Sequence, residues 1–128
     1  MKFVAIREHH LYHKAYIKGA RFSGRLVSVF ILRDYAAKRL MLAHPQRITV
    51  NRIGLSVTRK VGGACVRTRA KRIIREALRH IMTEGNLKTG YLLVISARNG
   101  ILGKKTQDVE EELRVAFRKL NFYRDTVS

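Results

Sequence analysis

The stretch Arg52-Ile53-Gly54-Leu55-Ser56-Val57-Thr58-Arg59-Lys60-Val61-Gly62-Gly63, running on through Val66-Arg67-Thr68-Arg69-Ala70-Lys71-Arg72-Ile73-Ile74-Arg75-Glu76-Ala77-Leu78-Arg79, changes period in its middle. Between residues 49 and 58, apolar Val50, Ile53, Leu55 and Val57 are interleaved with Gly54, Ser56 and Thr58. That spacing predicts a strand with one buried face and one face of small polar groups. Beyond Gly62-Gly63 and up to about Met82 the period becomes helical. Val66, Ala70, Ile73, Ile74, Ala77, Leu78 and Ile81 fall on one arc, and Lys71, Arg72, Arg75 and Arg79 on the opposite one. Arg67 and Arg69 stand at the shoulders. A strand, a glycine break and a long amphipathic helix make this an α/β chain.

The flanking sequence extends the pattern. Residues 8–17 read as a short helix of modest amphipathicity, ended by Lys18-Gly19. Residues 26–32, LVSVFIL, are β-branched and aromatic, hence a strand. Residues 33–46 are ambiguous between a helical turn or two before Pro45 and a long connection. Residues 91–97, YLLVISA, predict a central strand, and residues 106–120 a last helix with acids in its opening turns and Arg118 and Lys119 near its end. The order is α-β-β-α-β-α: a three- or four-stranded sheet with helices on one face and the other face open. Neither repeat nor linker interrupts residues 1–128, which predicts one domain.

Charge narrows the function. The 128 residues hold 27 Lys+Arg against 9 Asp+Glu, a formal charge of +18. Residues 1–80 hold 19 basic and 3 acidic residues, and residues 81–128 hold 8 and 6. Self-repulsion on that scale calls for a polyanionic partner that meets the first two-thirds of the chain. A hydrophobic fraction of 46% excludes a disordered basic tail. The single cysteine, Cys65, excludes an intramolecular disulfide and predicts a reducing compartment, the cytoplasm. It reads as a packed core thiol. No run reaches the roughly 18 apolar residues of a bilayer span.

On the long helix, six of seven charges share one sign, with Glu76 alone opposing them. A solvated helix face ordinarily mixes signs at i,i+4. This one repels itself until phosphates neutralise it, and its guanidinium groups suit bidentate phosphate contacts and stacking on bases. Upstream, Arg59 and Lys60 add charge. Gly62-Gly63 permits close backbone approach, and the helix start offers free N–H groups.

The quoted stretch resembles the signature of the bacterial ribonuclease P protein subunit. That family carries G-[LIV]-S-V-[ST]-[KR]-K-[VI]-G, then a helix opening Arg-Asn-Arg and continuing x-K-R-x-x-R-E. The resemblance covers roughly residues 8–120. It implies an α/β sandwich of the ribosomal-S5-domain-2-like type, a mixed sheet with a left-handed βαβ crossover. It implies a subunit of an endoribonuclease that removes the 5′ leader of precursor tRNA, the chemistry being carried by RNA and Mg2+. No cofactor is then bound by the protein alone. The catalytic RNA would be gripped by Arg59, Lys60, Arg67, Thr68, Arg69, Lys71, Arg72, Arg75 and Arg79. Two positions depart from the pattern: Thr68 replaces the central Asn, and Gly63 stands where the family often has Lys.

Strand alternation places a second surface beside the helix. Ser28 and Phe30 share a face with Leu26 and Leu32, and Ser56 and Thr58 share one with Arg52. Tyr12 and Tyr16, four residues apart, can flank it. Aromatics rimmed by cations suit unpaired RNA. The resemblance makes Tyr12, Tyr16 and Phe30, with Arg52, Ser56 and Thr58, the cleft for the precursor-tRNA leader; the alternative is that all three aromatics are core. Metal-assisted cleavage by the protein itself would need converging carboxylates, and the acids outside the last helix are scattered singly. His9 and His13 with Glu8 lack further ligands for a metal site. No membrane or small-molecule substrate is expected. Two rivals stand beside the resemblance: a ribosomal or assembly RNA-binding protein without a role in cleavage, and an independent nuclease.

Overall fold

The computed structural model describes residues 4–124. The chain forms β1 (Val4–Ala5), α1 (His9–Lys18), β2 (Ala20–Ser23), β3 (Val27–Arg33), α2 (Ala37–Ala43), β4 (Arg52–Ser56), α3 (Ala64–Thr83), β5 (Tyr91–Ala97) and α4 (Thr106–Lys119). One sheet runs β1-β4-β5-β3-β2. β4 and β5 are parallel neighbours joined through α3, β1 adds in parallel to the β4 edge, and β3 pairs antiparallel with both β5 and β2. Mixed pairing with parallel β4–α3–β5 is the expected α/β architecture, enlarged by β1 and β2, which sequence patterning did not predict. Residues 34–46, ambiguous by sequence, contain α2.

Both faces of the sheet are used. The apolar arcs of α3 and α4 pack on Val27, Val29 and Ile31 of β3, Ile53 of β4 and Leu93, Ile95 and Ala97 of β5. Ile74, Leu78 and Ile81 on α3, with Leu113 and Phe117 on α4, are fully buried there. The alternate residues of the same strands, Phe30, Leu92 and Val94, turn the other way and meet α1. Helices on one face is therefore corrected for α1. That helix lies on the opposite face, over a smaller core with Ile6, Ala15, Leu11, Tyr12 and Leu32. Small residues let it lie close: Ala15 is fully buried, and a Cβ on Gly54 would sit 2.5 Å from the Tyr12 ring. Any side chain at position 54 would displace the end of the Tyr12 ring from its seat on the sheet.

Polar contacts fix the strand ends. Buried Asn51 donates from Nδ2 to the Lys88 carbonyl at 2.7 Å and accepts the Tyr91 N–H at 2.9 Å, which sets β4 against β5. Glu112 of α4 accepts three backbone N–H bonds from the β2–β3 turn: Arg25 at 2.9 Å, Leu26 at 2.8 Å and Val27 at 2.8 Å. Acids early in α4 are thus more than partners of the helix dipole. The turn also corrects the placement of Leu26, which precedes the strand and joins the α3–α4 core instead of the face of Ser28 and Phe30.

Candidate nucleic-acid interface

α3 begins at Ala64, with Gly63 as N-cap, and keeps helical geometry for 20 residues. Its core contact begins only at Ala70. Val66, expected on the buried arc, is 39% exposed and packs on Gly62, just before the helix, where a Cβ would meet Val66 Cγ1 at 2.8 Å. Cys65 is also exposed, which corrects its placement in the core. The first turns of α3 therefore stand clear of the sheet and carry Arg67, Thr68, Arg69, Lys71 and Arg72 outward.

Arg69, Lys71, Arg72 and Arg75 are exposed, Arg67 and Arg79 half-buried. Among the described residues the ion pair made on this face is Arg79–Glu76 at 2.6 Å. Arg69 donates to the Lys104 carbonyl at 3.2 Å, and the Arg67 Nε is buried with no partner among the described residues. Thr68 stands between two hollows. One, of about 430 Å3, is lined by Ala64, Cys65, Thr68, Arg69 and Arg72. The other, of about 240 Å3, is lined by Val57, Ala64, Arg67, Thr68 and Lys71. Arg59 and Lys60 are exposed in the turn between β4 and α3. Gly63 has ordinary extended backbone, φ −70° and ψ −179°, and a Cβ there would meet open space. The glycine pair is thus no cradle at position 63.

On the other face, sheet register joins residues far apart in sequence. Ser23 pairs with Ser28, Ser28 with Ser96, and Ser96 with Ser56. Paired residues share a face, so four serine side chains form a row across β2, β3, β5 and β4. Ser23 is exposed, Ser56 and Ser96 are half-buried, and Ser28 lies deepest. The next row is Arg21, Phe30, Val94 and Gly54, and α1 covers its Phe30, Val94 and Gly54 positions. Ser23 and Ser96 escaped notice in the sequence, because only register aligns them.

The aromatics divide between core and surface. Phe30 is only 7% exposed. Tyr16 is 37% exposed and meets Phe30 edge-on, with centroids 4.8 Å apart. Arg21 places its guanidinium carbon 5.6 Å from the Phe30 centroid. Tyr12 is half-buried on Gly54; burial pushes its phenol above the ordinary tyrosine pKa, and Tyr16 adds to the rise. Tyr16 is therefore the exposed ring of the pair and Phe30 the buried one beneath it. Thr58 is exposed beyond the end of β4.

Arg52 occupies the expected face but is not a free cation. It is 8% exposed and donates to Asp34 through Nε at 2.7 Å and Nη2 at 2.8 Å, and to Glu8 through Nη1 at 3.2 Å. Burial pushes the Asp34 carboxyl up, but hydrogen bonds from Arg52 and the Ala36 N–H, with the positive field of Arg52 and Arg39, outweigh it and hold the group below the usual range. Asp34 lies 18 residues upstream, and nothing local announces the pair. Arg52 ties α1, β3 and β4 together.

Several other carboxylates are also held by neighbours. Glu84 and Glu110 pair with Arg114, Glu110 also meets His80, and Asp108 accepts the Lys105 N–H. Among the described residues no three His, Cys, Asp or Glu side chains are grouped to hold a metal ion, and no helix is long and apolar enough to cross a membrane.

A mixed five-stranded sheet with a cationic helix at one face and a row of serines at the other defines a strongly basic α/β protein. Comparison with known proteins gives that class its family. The Ribonuclease P family model matches residues 1–121. The ribonuclease P protein component of Clostridium acetobutylicum is 37% identical over 93% of this chain and 90% of the relative. The component from Clostridium botulinum strain Langeland is 33% identical over 96% and 99%. The fold matches the RNase P protein of Staphylococcus aureus with a TM-score of 0.73, at 20% identity, over 96% of this chain and 100% of that one. For the protein from Thermotoga maritima the TM-score is 0.67 at 20% identity, over 93% and 97%. The chain belongs to the ribonuclease P protein family, whose members are subunits of the ribonucleoprotein that matures tRNA 5′ ends.

Proposed function

We propose that this chain docks on the catalytic RNA of ribonuclease P through α3 and holds the single-stranded 5′ leader of precursor tRNA in the cleft beside α1. The observation that carries this reading is the serine row bordered by Tyr16, on the sheet face away from the α3 core. Arg67, Thr68, Arg69, Lys71, Arg72, Arg75 and Arg79, with Arg59 and Lys60, supply the RNA contacts. Hydroxyls of Ser23, Ser56 and Ser96 face the leader above Ser28, Tyr16 stacks on an unpaired base, and Arg21 neutralises a phosphate. Tyr12, Phe30 and Arg52 act beneath as support, and Thr58 stands at the cleft's end.

Hydrolysis belongs to the RNA and its Mg2+. Where carboxylates converge they do so on a guanidinium, Glu8 and Asp34 on Arg52 and Glu84 and Glu110 on Arg114, which fits a protein that leaves the metal to the RNA. The protein contributes by neutralising phosphates and by adding affinity for substrate that still bears its leader. It works in the cytoplasm, where its exposed thiol stays reduced.

The test compares holoenzyme binding to leader-bearing precursor and to mature tRNA. Tyr16→Ala is expected to weaken the precursor by about 1–3 kcal/mol and to spare the mature form. Equal losses on both ligands would refute the leader cleft.

A further inference from the structure

The far end of the sheet carries a second aromatic and cationic corner. Arg33 and Tyr91 form the last β3–β5 register pair, five positions from Ser28 and Ser96. At about 3.3 Å per residue the two pairs stand roughly 16 Å apart along the strands. Tyr35, in the turn between β3 and α2, is 80% exposed, the most exposed of the large apolar side chains among the described residues. Lys14 of α1 holds its Nζ 4.8 Å from the ring centroid. Beside it lies a hollow of about 450 Å3, whose lining includes Arg33, Tyr35, Lys38, Thr49, Thr89 and Tyr91. Tyr91 is braced edge-on by Phe122 at 5.4 Å. Asp34 also lines the hollow, but its carboxylate is taken by Arg52 and the Ala36 N–H. Arg33, Lys38 and Lys14 thus make no ion pair among the described residues.

A solvent-facing aromatic serves no core, and stacking it under a cation leaves its remaining surface for a planar ligand. Two cations that line the nucleotide-sized hollow, Arg33 and Lys38, with Lys14 over the Tyr35 ring, select that ligand's charge. We infer that this corner is a second RNA site, holding one unpaired nucleotide with its base on Tyr35 and its phosphates against Arg33 and Lys38. The inference rests on the proposal that the chain works on RNA. The nucleotide comes either from the catalytic RNA or from the substrate.

Photo-cross-linking separates those sources. Two holoenzymes are assembled with the full chain, one with 4-thiouridine in the catalytic RNA and one with it in the precursor tRNA. After irradiation the tryptic peptides are mapped. Tyr35 lies in the peptide of residues 34–38 and Tyr16 in that of residues 15–18, so the two sites report separately. Labelling of 34–38 in either arm is expected and names the source. Tyr35→Ala is expected to weaken that RNA about tenfold, with Tyr35→Phe restoring it. A Lys38→Glu change should lower the salt slope by about one unit. No label on 34–38 in either arm, or a change below about twofold for Tyr35→Ala, overturns the site. Because Tyr35 is exposed, the variant keeps its fold. Label at 34–38 without label at 15–18 would instead support this corner and contradict the leader cleft.

Discussion

Replacing Glu112 by Ala removes one side chain and three bonds to the β2–β3 turn. Leu26 is 8% exposed and Val27 fully buried, and both donate to the same oxygen at 2.8 Å. A buried donor left unsatisfied costs about 1–3 kcal/mol. Arg25 is exposed, so water takes the place of Glu112 on its N–H at little cost. Since Glu112 is itself half-buried, water reaches part of the vacated space, and the sum falls at about 2–4 kcal/mol. Glu112→Gln keeps one oxygen for Leu26 and Val27 and turns an NH2 toward the Arg25 N–H, for a smaller loss of about 1 kcal/mol. Gly24 gives the control. A Cβ there would lie 2.5–2.7 Å from the Glu112 carboxylate, so Gly24→Ala is costly when Glu112 is present and cheap in the Glu112→Ala background. Urea midpoints of the four chains in that cycle measure the coupling, and amide exchange at residues 24–28 locates it. Because the turn aligns Ser23 with Ser28, leader affinity falls with it. A Glu112→Ala loss under about 0.5 kcal/mol, or a Gly24→Ala cost independent of residue 112, would refute the clamp.

Further outcomes follow from the same geometry. Asp34→Ala leaves the buried Arg52 guanidinium with only the half-exposed Glu8 as partner and is expected to cost about 3 kcal/mol in urea unfolding. Because the Asp34 pKa is lowered by folding, its contribution is complete above the unfolded pKa near 4 and is lost as pH falls through the lower folded pKa. The gap between wild type and Asp34→Asn should therefore shrink below about pH 4; a gap constant with pH would contradict the pairing. Removing charge at Arg72 or Arg75 should weaken binding of the catalytic RNA and reduce the salt slope by about one unit for each phosphate no longer neutralised, with an unchanged slope counting against a phosphate contact there. Gly63→Lys adds a cation in open space at an N-cap, so it should tighten RNA binding and cost under about 1 kcal/mol in stability. Weaker RNA binding by a folded Gly63→Lys protein would mean that the backbone at 63 already touches the ligand.

What was legible in the sequence depended on how local its cause was. α3, β3, β5 and α4 follow from period and composition, and their apolar positions beyond Val66 are the core of the structure. The two residues of β1 and the four of β2 are too short for a period, and their pairing is supplied by β4 and β3. Strand alternation separated Ser28 and Phe30 from Val27 and Val29, yet it misplaced Leu26, because the strand starts one residue later under the hold of Glu112. Arg52 shows the same limit from the other side. Its face was evident, but its engagement by Asp34 and Glu8 is long-range. The row of serines likewise exists only in register. α1 has weak amphipathicity, and which side of the sheet it covers is decided by Gly54 and Ala15, which yield it room.

The central claim, that this chain assists a catalytic RNA rather than cutting RNA itself, is tested most directly by reconstitution. Precursor tRNA is incubated at low Mg2+ with ribonuclease P RNA alone, with this protein alone, and with both. Accurate 5′ cleavage is predicted to rise strongly only when both are present, and to fall again as salt screens the α3 contacts. Cleavage by the protein without the RNA, or no stimulation when the two are combined, would contradict it.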